Sequence, residues 1–171
     1  MPFFPSLPQG AGVRKIWETF NPEAHEGLSK FVRSFMNKES RITRTEKEII
    51  AAFVSGLNNS DYCFIGHSRA AVKFGADQAI FESLLNDIAT ASVREEMKPL
   101  LRLVKKLTLT PARVNQEDLN TVFAAGWDEH SIHQAICICA RFSMMNRLTL
   151  GHGLIANEDN ADTRAANLAV D

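Results

Sequence analysis

The sequence predicts an all-α domain of about six or seven helices. Apolar residues recur at three- and four-residue spacing along most of the chain, and residues typical of helix caps and helix breakers separate these segments. No segment shows a convincing alternation of apolar and polar residues, the pattern of a half-buried strand. With 171 residues, 45% hydrophobic and 23% charged, the chain is long and apolar enough to bury one core.

The two ends of the chain differ in composition from the middle. Residues 1–12 contain three of the six prolines and two of the nine glycines, so we expect residues 1–20 to form an extended N-terminal arm, free to pack on a neighbour. Residues 21–156 are expected to form the helical domain, with a core motif at residues 43–75. Residues 157–171 are polar and rich in Asp and Asn, which predicts a mobile tail.

Helix starts and ends can be assigned in order along residues 21–156. Asn21 followed by Pro22 predicts the first start, and Thr43 with Glu46 forms the pattern of a capping box for the second helix. Pro99 leaves open whether its segment kinks or starts a new helix there. The other predicted caps are Ser60, Asp77, Ser92 with Glu95, Asn115 and Asp128, and the predicted left-handed ends are Gly75 and Gly126.

The last predicted helix runs from Asp128 to Leu150 and is apolar around much of its circumference. A surface helix normally carries only one apolar stripe. This helix is therefore expected to be buried on several sides, either within the domain or against a partner subunit.

Charge and composition exclude several classes of protein. The 19 basic and 20 acidic residues nearly cancel and are scattered, so neither nucleic acid nor an anionic membrane surface is an expected partner. No apolar run has the length of a membrane span, and the N-terminus lacks the features of a secretory signal. Three cysteines without disulfide spacing fit the cytoplasm. His130 and His133 lack a third ligand, so neither a metal nor another cofactor is predicted.

Cys63 and His67 form the main candidate for chemistry. With Ser60 as the N-cap, Cys63 is the third residue of its helix, near unpaired backbone N–H groups and the positive end of the helix dipole, which favours a thiolate. His67 follows four residues later on the same face, where it can stabilise the thiolate as imidazolium or transfer a proton. This pair predicts a nucleophilic or redox site.

Glu48 and Ser60 extend the candidate site. A short Gly-Leu-Asn-Asn turn joins the helices of Glu48 and Cys63, so we expect an antiparallel hairpin with Glu48 near the junction, where it can orient His67 or relay a proton. Structural roles also fit: Cys63 as a buried apolar residue, Glu48 as a capping partner of Thr45, and Ser60 as a helix cap. From the residues by themselves, the structural and chemical interpretations are about equally supported.

The stretch from Thr43 to Ala71, TRTEKEIIAAFVSGLNNSDYCFIGHSRAA, resembles the core motif of the alkylhydroperoxidase AhpD / carboxymuconolactone decarboxylase-like family. Redox members of that family carry a glutamate, then a CxxC pair with a histidine four residues after its second cysteine. Glu48, Cys63 and His67 match the glutamate, second cysteine and histidine. The segment ARFSMMNRL in the last helix is similar to the family's peroxidase-related branch. The resemblance implies an AhpD-like helical fold and a homo-oligomer, trimeric or hexameric.

Ser60 stands where the family has its first cysteine, and this departure affects recycling. A CxxC pair closes a disulfide after reacting with peroxide, and a dithiol then reduces that disulfide. The resemblance implies a peroxidase-related thiol oxidoreductase: Cys63 reduces a hydroperoxide, His67, Glu48 and Ser60 move or position the proton, and an external thiol acts as reductant. The alternatives are a decarboxylase-like acid/base enzyme acting on a small carboxylated ligand, and a non-catalytic redox-sensing oligomer.

Overall fold

The computed structural model describes residues 1–156, and within this range it contains α-helices, two short 3-10 helices and no strand. The predicted all-α class is confirmed, with eight α-helices in the described range where about six or seven were expected. The predicted polar tail, residues 157–171, lies outside the described residues. The helices are α1 (Val13–Phe20), α2 (Pro22–Met36), α3 (Arg44–Leu57), α4 (Asp61–Lys73), α5 (Ile80–Asn86), α6 (Met97–Leu109), α7 (Gln116–Ala124) and α8 (Glu129–Gly151).

Several helix boundaries follow from caps that the sequence predicts. Thr43 and Glu46 form a reciprocal capping box at the start of α3, where the Thr43 hydroxyl accepts from the Glu46 backbone N–H. The Asn115 side chain caps α7 in the same way, and the Asp128 carboxylate accepts from the Ser131 N–H at the start of α8. Gly75 ends α4 at φ +100°, a conformation that residues with a Cβ rarely adopt.

The start of α6 differs from the capping-box prediction. Ser92 lies in a bend and makes no cap with Glu95, and α6 begins at Met97. Pro99 is therefore in the first turn of α6, where its missing N–H costs no helical hydrogen bond. The alternative left open by the sequence is resolved: a new helix starts here and no kink is formed.

The prediction of an extended arm over residues 1–20 is wrong for its second half, because Val13–Phe20 form α1. The residues before α1 fold back on the same chain: the Phe3 N–H donates to the His152 carbonyl at 2.9 Å, and the rings of Phe4 and His152 stack with centroids 4.7 Å apart. A small apolar cluster holds this region in place. Its buried members are Leu7, Ala11, Ile16 and Leu154.

The core is built around α3, in which every residue from Glu46 to Ser55 is buried. This helix packs against α4, α5, α6 and α8, and α8 also contacts α2, α4 and α6. Burial of α8 on several sides is thus confirmed, although Ile136, Met144 and Leu150 on the same helix remain exposed. None of the helices within residues 1–156 has both the length and the apolar character needed to cross a bilayer.

Candidate active site around Cys63

Cys63 is the third residue of α4, as predicted, and its sulfur is buried between the start of α4 and the end of α8. Oγ1 of Thr149 lies 3.6 Å from Sγ, within hydrogen-bond distance for a sulfur atom. Thr149 donates its own hydroxyl hydrogen to the Asn146 carbonyl at 3.0 Å. Its oxygen is therefore left to accept from neighbouring groups, including the Cys63 thiol.

Ser60 occupies the N-cap position of α4, but its hydroxyl makes no capping hydrogen bond. The side chain is buried, and its Oγ lies 3.1 Å from the Thr149 hydroxyl oxygen. The prediction of a capping side chain at Ser60 is wrong, because the side chain is directed toward the Thr149 hydroxyl of α8 and makes no bond to the first turn of α4. Ser60 and Cys63 instead share Thr149 as a hydrogen-bond partner, so the hydroxyl faces the same polar environment as the sulfur.

His67 and Glu48 form a buried pair between α4 and α3. Nδ1 of His67 lies 2.7 Å from one carboxylate oxygen of Glu48, and the other oxygen forms an ion pair with the Arg44 guanidinium at 3.1 Å. Glu48 is only 1% exposed. A carboxylate that is paired with arginine acts as an acceptor, so we assign a ring hydrogen to Nδ1; in the neutral form of the ring the lone pair is then on Nε2.

The position of Glu48 along the hairpin differs from the prediction. Glu48 is the fifth residue of α3, whereas the junction with α4 follows Leu57. The expectation that Glu48 lies near the junction is therefore wrong. Glu48 still meets His67, because His67 is the seventh residue of α4 and so also lies away from the turn. In an antiparallel hairpin, two residues at similar distances from the turn face each other. The Glu48 side chain also does not cap Thr45, whose hydroxyl donates to the Phe74 carbonyl.

Phe142 and Arg141 on α8 complete the surroundings of His67. The Phe142 ring packs edge-on against the His67 ring, with centroids 4.3 Å apart, and the Arg141 guanidinium carbon lies 5.7 Å from the Phe142 ring centroid. Burial lowers the pKa of Arg141 to about 10, and negative charge on Cys63 opposes that shift. The guanidinium therefore lies within electrostatic range of the sulfur and remains charged near neutral pH.

Asn146 fixes α8 against α3 beside the site. Its side chain is completely buried; Nδ2 donates to the Ser55 hydroxyl at 3.0 Å and Oδ1 accepts from Asn58 at 3.0 Å. This is the asparagine of the ARFSMMNRL segment. Arg147, its neighbour in that segment, is exposed and donates to the carbonyl of Ser143 on its own helix.

Sequence reasoning missed four residues of this site: Arg44, Arg141, Phe142 and Thr149. A signal for two of them was present, since Arg141 and Thr149 are polar residues in a helix that is apolar around much of its circumference. The sequence does not show which residues of α8 face α4, because that depends on how the two helices pack. Among residues 1–156, no three His, Cys, Asp or Glu side chains are grouped as metal ligands.

Comparisons with known proteins agree with this architecture. The model of the carboxymuconolactone decarboxylase family matches residues 22–105, a range that includes Glu48, Ser60, Cys63 and His67. The Bacillus subtilis protein YdfG, itself uncharacterised, is 26% identical over 116 residues, which cover 68% of this chain and 79% of YdfG.

Solved structures extend the likeness over nearly the whole chain. A peroxidase-related protein with an alkylhydroperoxidase AhpD core, from Ralstonia eutropha, aligns with a TM-score of 0.78 at 16% identity and 96% coverage of both chains. A peroxidase-related protein from a Silicibacter species gives 0.77 at 24% identity, covering 86% of this chain and 76% of that one. The debrominase Bmp8, crystallised with 2,3,4-tribromopyrrole, gives 0.64 at 18% identity, covering 89% and 79%.

The fold and the arrangement of its helices thus define an AhpD-like helical protein. Within that class, the chain is similar to the carboxymuconolactone decarboxylase family, whose model matches residues 22–105.

Proposed function

We propose that this protein is a peroxidase-related thiol oxidoreductase that reduces a hydroperoxide at Cys63. The observation that carries the proposal is the buried Glu48–His67 hydrogen bond of 2.7 Å, one helical turn from a cysteine at the start of α4. A nucleophile, a base and a group that orients the base are the parts that nucleophilic catalysis requires. Each part comes from the buried hairpin of α3 and α4.

In the proposed reaction, His67 accepts the Cys63 thiol proton at Nε2 while Glu48 holds Nδ1. The thiolate then attacks the distal oxygen of the hydroperoxide, an S–O bond forms, and the O–O bond breaks. The leaving alkoxide takes the proton back from His67 and departs as an alcohol. Cys63 is oxidised to a sulfenic acid and the hydroperoxide is reduced, so the proton and electron pairs balance.

Recycling in this proposal depends on an external thiol. Ser60 has no sulfur to attack the sulfenic acid, although its hydroxyl shares Thr149 with Cys63. One external thiol condenses with the sulfenic acid to give a mixed disulfide and water, and a second thiol releases Cys63 as the thiol. Ser60 and Glu48 then have positioning roles, and the reductant supplies both electrons.

We also propose that the protein works as a cytoplasmic homo-oligomer, trimeric or hexameric. Support comes from the exposed apolar side chains of α8, since Ile136, Met144 and Leu150 are 36%, 38% and 45% exposed. Apolar side chains spaced along one helix are typical of a contact surface when they lie close enough to form a patch. Light scattering of the purified protein measures the number of subunits directly.

Peroxide oxidation followed by mass spectrometry tests the proposed function. The native protein is treated with an organic hydroperoxide, and the gain of one oxygen is mapped to a peptide in the wild type, Cys63→Ser and Cys137→Ser. We expect oxidation of Cys63 in the wild type and in Cys137→Ser, with release of one alcohol per protein. Equal loss of free thiol in wild type and Cys63→Ser would refute the proposal.

A further inference from the structure

Arg141 is a partly exposed cation, and two of its three guanidinium nitrogens are buried and not used by the rest of the described chain. Its Nε and Nη1 atoms are inaccessible to solvent and have no hydrogen-bond partner among residues 1–156. The guanidinium is near the Phe142 ring, at 5.7 Å from guanidinium carbon to ring centroid. An aromatic face attracts the charge but accepts none of the N–H groups in the plane of the guanidinium.

A guanidinium with two buried nitrogens that lack an acceptor is energetically unfavourable. Each unpaired N–H loses its hydrogen bond to water, and the charge loses solvation, so proteins rarely keep such a group unless it binds something. The ligand that matches its planar fork of donors is a carboxylate or another oxyanion, held by two parallel hydrogen bonds.

The location of Arg141 connects this anion-binding capacity to the candidate active site. Phe142 contacts both Arg141 and His67, and negative charge on Cys63 acts on the guanidinium. An oxyanion paired with Arg141 would therefore lie beside the reactive groups. Among the described residues Arg141 makes no hydrogen bond to the Cys63 sulfur, whose polar contact is with Thr149.

We propose that Arg141 binds a carboxylate of the substrate, so that the site prefers small hydroperoxides that carry a carboxylate to neutral ones. The hydroperoxide part of this inference rests on the proposed function; the carboxylate part does not. Arg141 is then a substrate-binding residue that holds the molecule so that its reactive end is presented to Cys63.

Two alkylating reagents of nearly equal size test the carboxylate part without peroxide. Iodoacetate carries a carboxylate and iodoacetamide is neutral, and with both the Cys63 sulfur displaces iodide. We measure the ratio of their rates at Cys63 by peptide mass spectrometry in the wild type, Arg141→Met, Arg141→Lys and Arg147→Met. Arg147 is the matched control, because it is an exposed arginine on the same helix.

The expected result is a fall of about 10- to 100-fold in the iodoacetate-to-iodoacetamide ratio in Arg141→Met, the effect of losing charged hydrogen bonds. Arg141→Lys should give an intermediate ratio and Arg147→Met an unchanged one. An unchanged ratio in Arg141→Met would overturn the proposal. So would a native Cys63 that neither reagent alkylates although both alkylate it in urea.

Competition with the wild type keeps the test decisive if the methionine variant does not fold. Benzoate and benzamide have similar shapes but differ in charge, and each is added before iodoacetamide. Benzoate should slow alkylation of Cys63 more than benzamide does, and equal protection would refute carboxylate binding. If Cys63 proves inert to hydroperoxides while the benzoate preference is observed, the proposed function fails and the carboxylate site stands.

Discussion

Two helices of this protein each carry a cysteine and a histidine four residues apart, in very different surroundings. On α4, Cys63 and His67 are both buried, and Nδ1 of His67 is bonded to Glu48. On α8, Cys137 is half-buried and its sulfur lies 3.4 Å from Nε2 of His133. The α8 sulfur and imidazole are thus in direct contact, yet among the described residues no carboxylate holds His133 as Glu48 holds His67.

The difference shows that spacing along a helix is a weak indicator of reactivity. In the α4 pair, other helices supply the remaining parts: α3 contributes Glu48, and α8 contributes Thr149 and the charge of Arg141. In the α8 pair, Cys137 is partly buried, and this burial raises the pKa of its thiol. We therefore expect Cys63 to be the reactive thiol and Cys137 to be a slow one.

Replacing His67 should have the largest effect, and the same replacement at His133 makes it the sharpest test of this contrast. His67→Gln removes the proton acceptor near Cys63 while keeping a side chain that can bond Glu48. General bases contribute about 100-fold or more to rate, so we expect at least that loss in the second-order rate of Cys63 oxidation by hydroperoxide. The measurement is quenched-flow alkylation followed by mass spectrometry.

His133→Gln is the matched control, and its rate at Cys63 should equal that of the wild type. If His133→Gln slows Cys63 oxidation as much as His67→Gln does, the two pairs are not chemically distinct. Wild-type rates in His67→Gln would show that Cys63 reacts without a base on α4.

Replacing Glu48 should have the next largest effect, and we expect it in the free energy of unfolding. The carboxylate is 1% exposed and bonds both His67 and Arg44. Removing one partner of a buried ion pair leaves the other charge uncompensated, so Glu48→Ala should lower the free energy of unfolding by about 3 kcal/mol. Urea denaturation followed by circular dichroism gives this value.

Glu129→Ala is the corresponding change beside the α8 pair, since Glu129 lies four residues before His133. Glu129 is exposed, and changes at exposed sites usually alter stability by less than about 0.5 kcal/mol. A loss of equal size in both variants would contradict the difference in burial on which the comparison depends.

Local signals in the sequence predicted the helices well and the site only in part. The caps at Asn21, Thr43 and Asn115 act within a few residues, so they are readable from a short window. By contrast, Thr149 meets Ser60 and Cys63 across more than 80 residues of chain, and the energy of that contact exists only once α8 has packed.

The errors have the same origin. The sequence predicts Ser60 as the cap of α4, because serine at that position normally accepts from the N–H groups of the first turn. In the structure its hydroxyl is hydrogen-bonded to Thr149 of α8 instead. The sequence does not predict the first helix, Val13–Phe20, because its buried residue, Ile16, is covered only within the cluster of Leu7, Ala11 and Leu154. The Glu48–His67 pair was anticipated from family resemblance and from the short turn, although its place along the hairpin was not.

The smallest expected effect concerns the pH dependence of Cys137. Burial stabilises the neutral thiol, so its pKa is raised above the ordinary value. The folded protein therefore holds this proton at pH values where the unfolded chain has begun to release it. This contribution to stability is complete below the unfolded pKa and is lost as pH rises through the folded pKa.

Alkylation of Cys137 by iodoacetamide as a function of pH measures this shift. In Cys63→Ser protein, the midpoint of the Cys137 rate profile should lie at higher pH in the native state than in urea, and it should stay raised in His133→Ala because burial is the cause. A native midpoint below the one in urea, returning upward in His133→Ala, would mean that the His133 contact stabilises the thiolate. The α8 pair would then be a second activated thiol, and reactivity would follow the four-residue spacing after all.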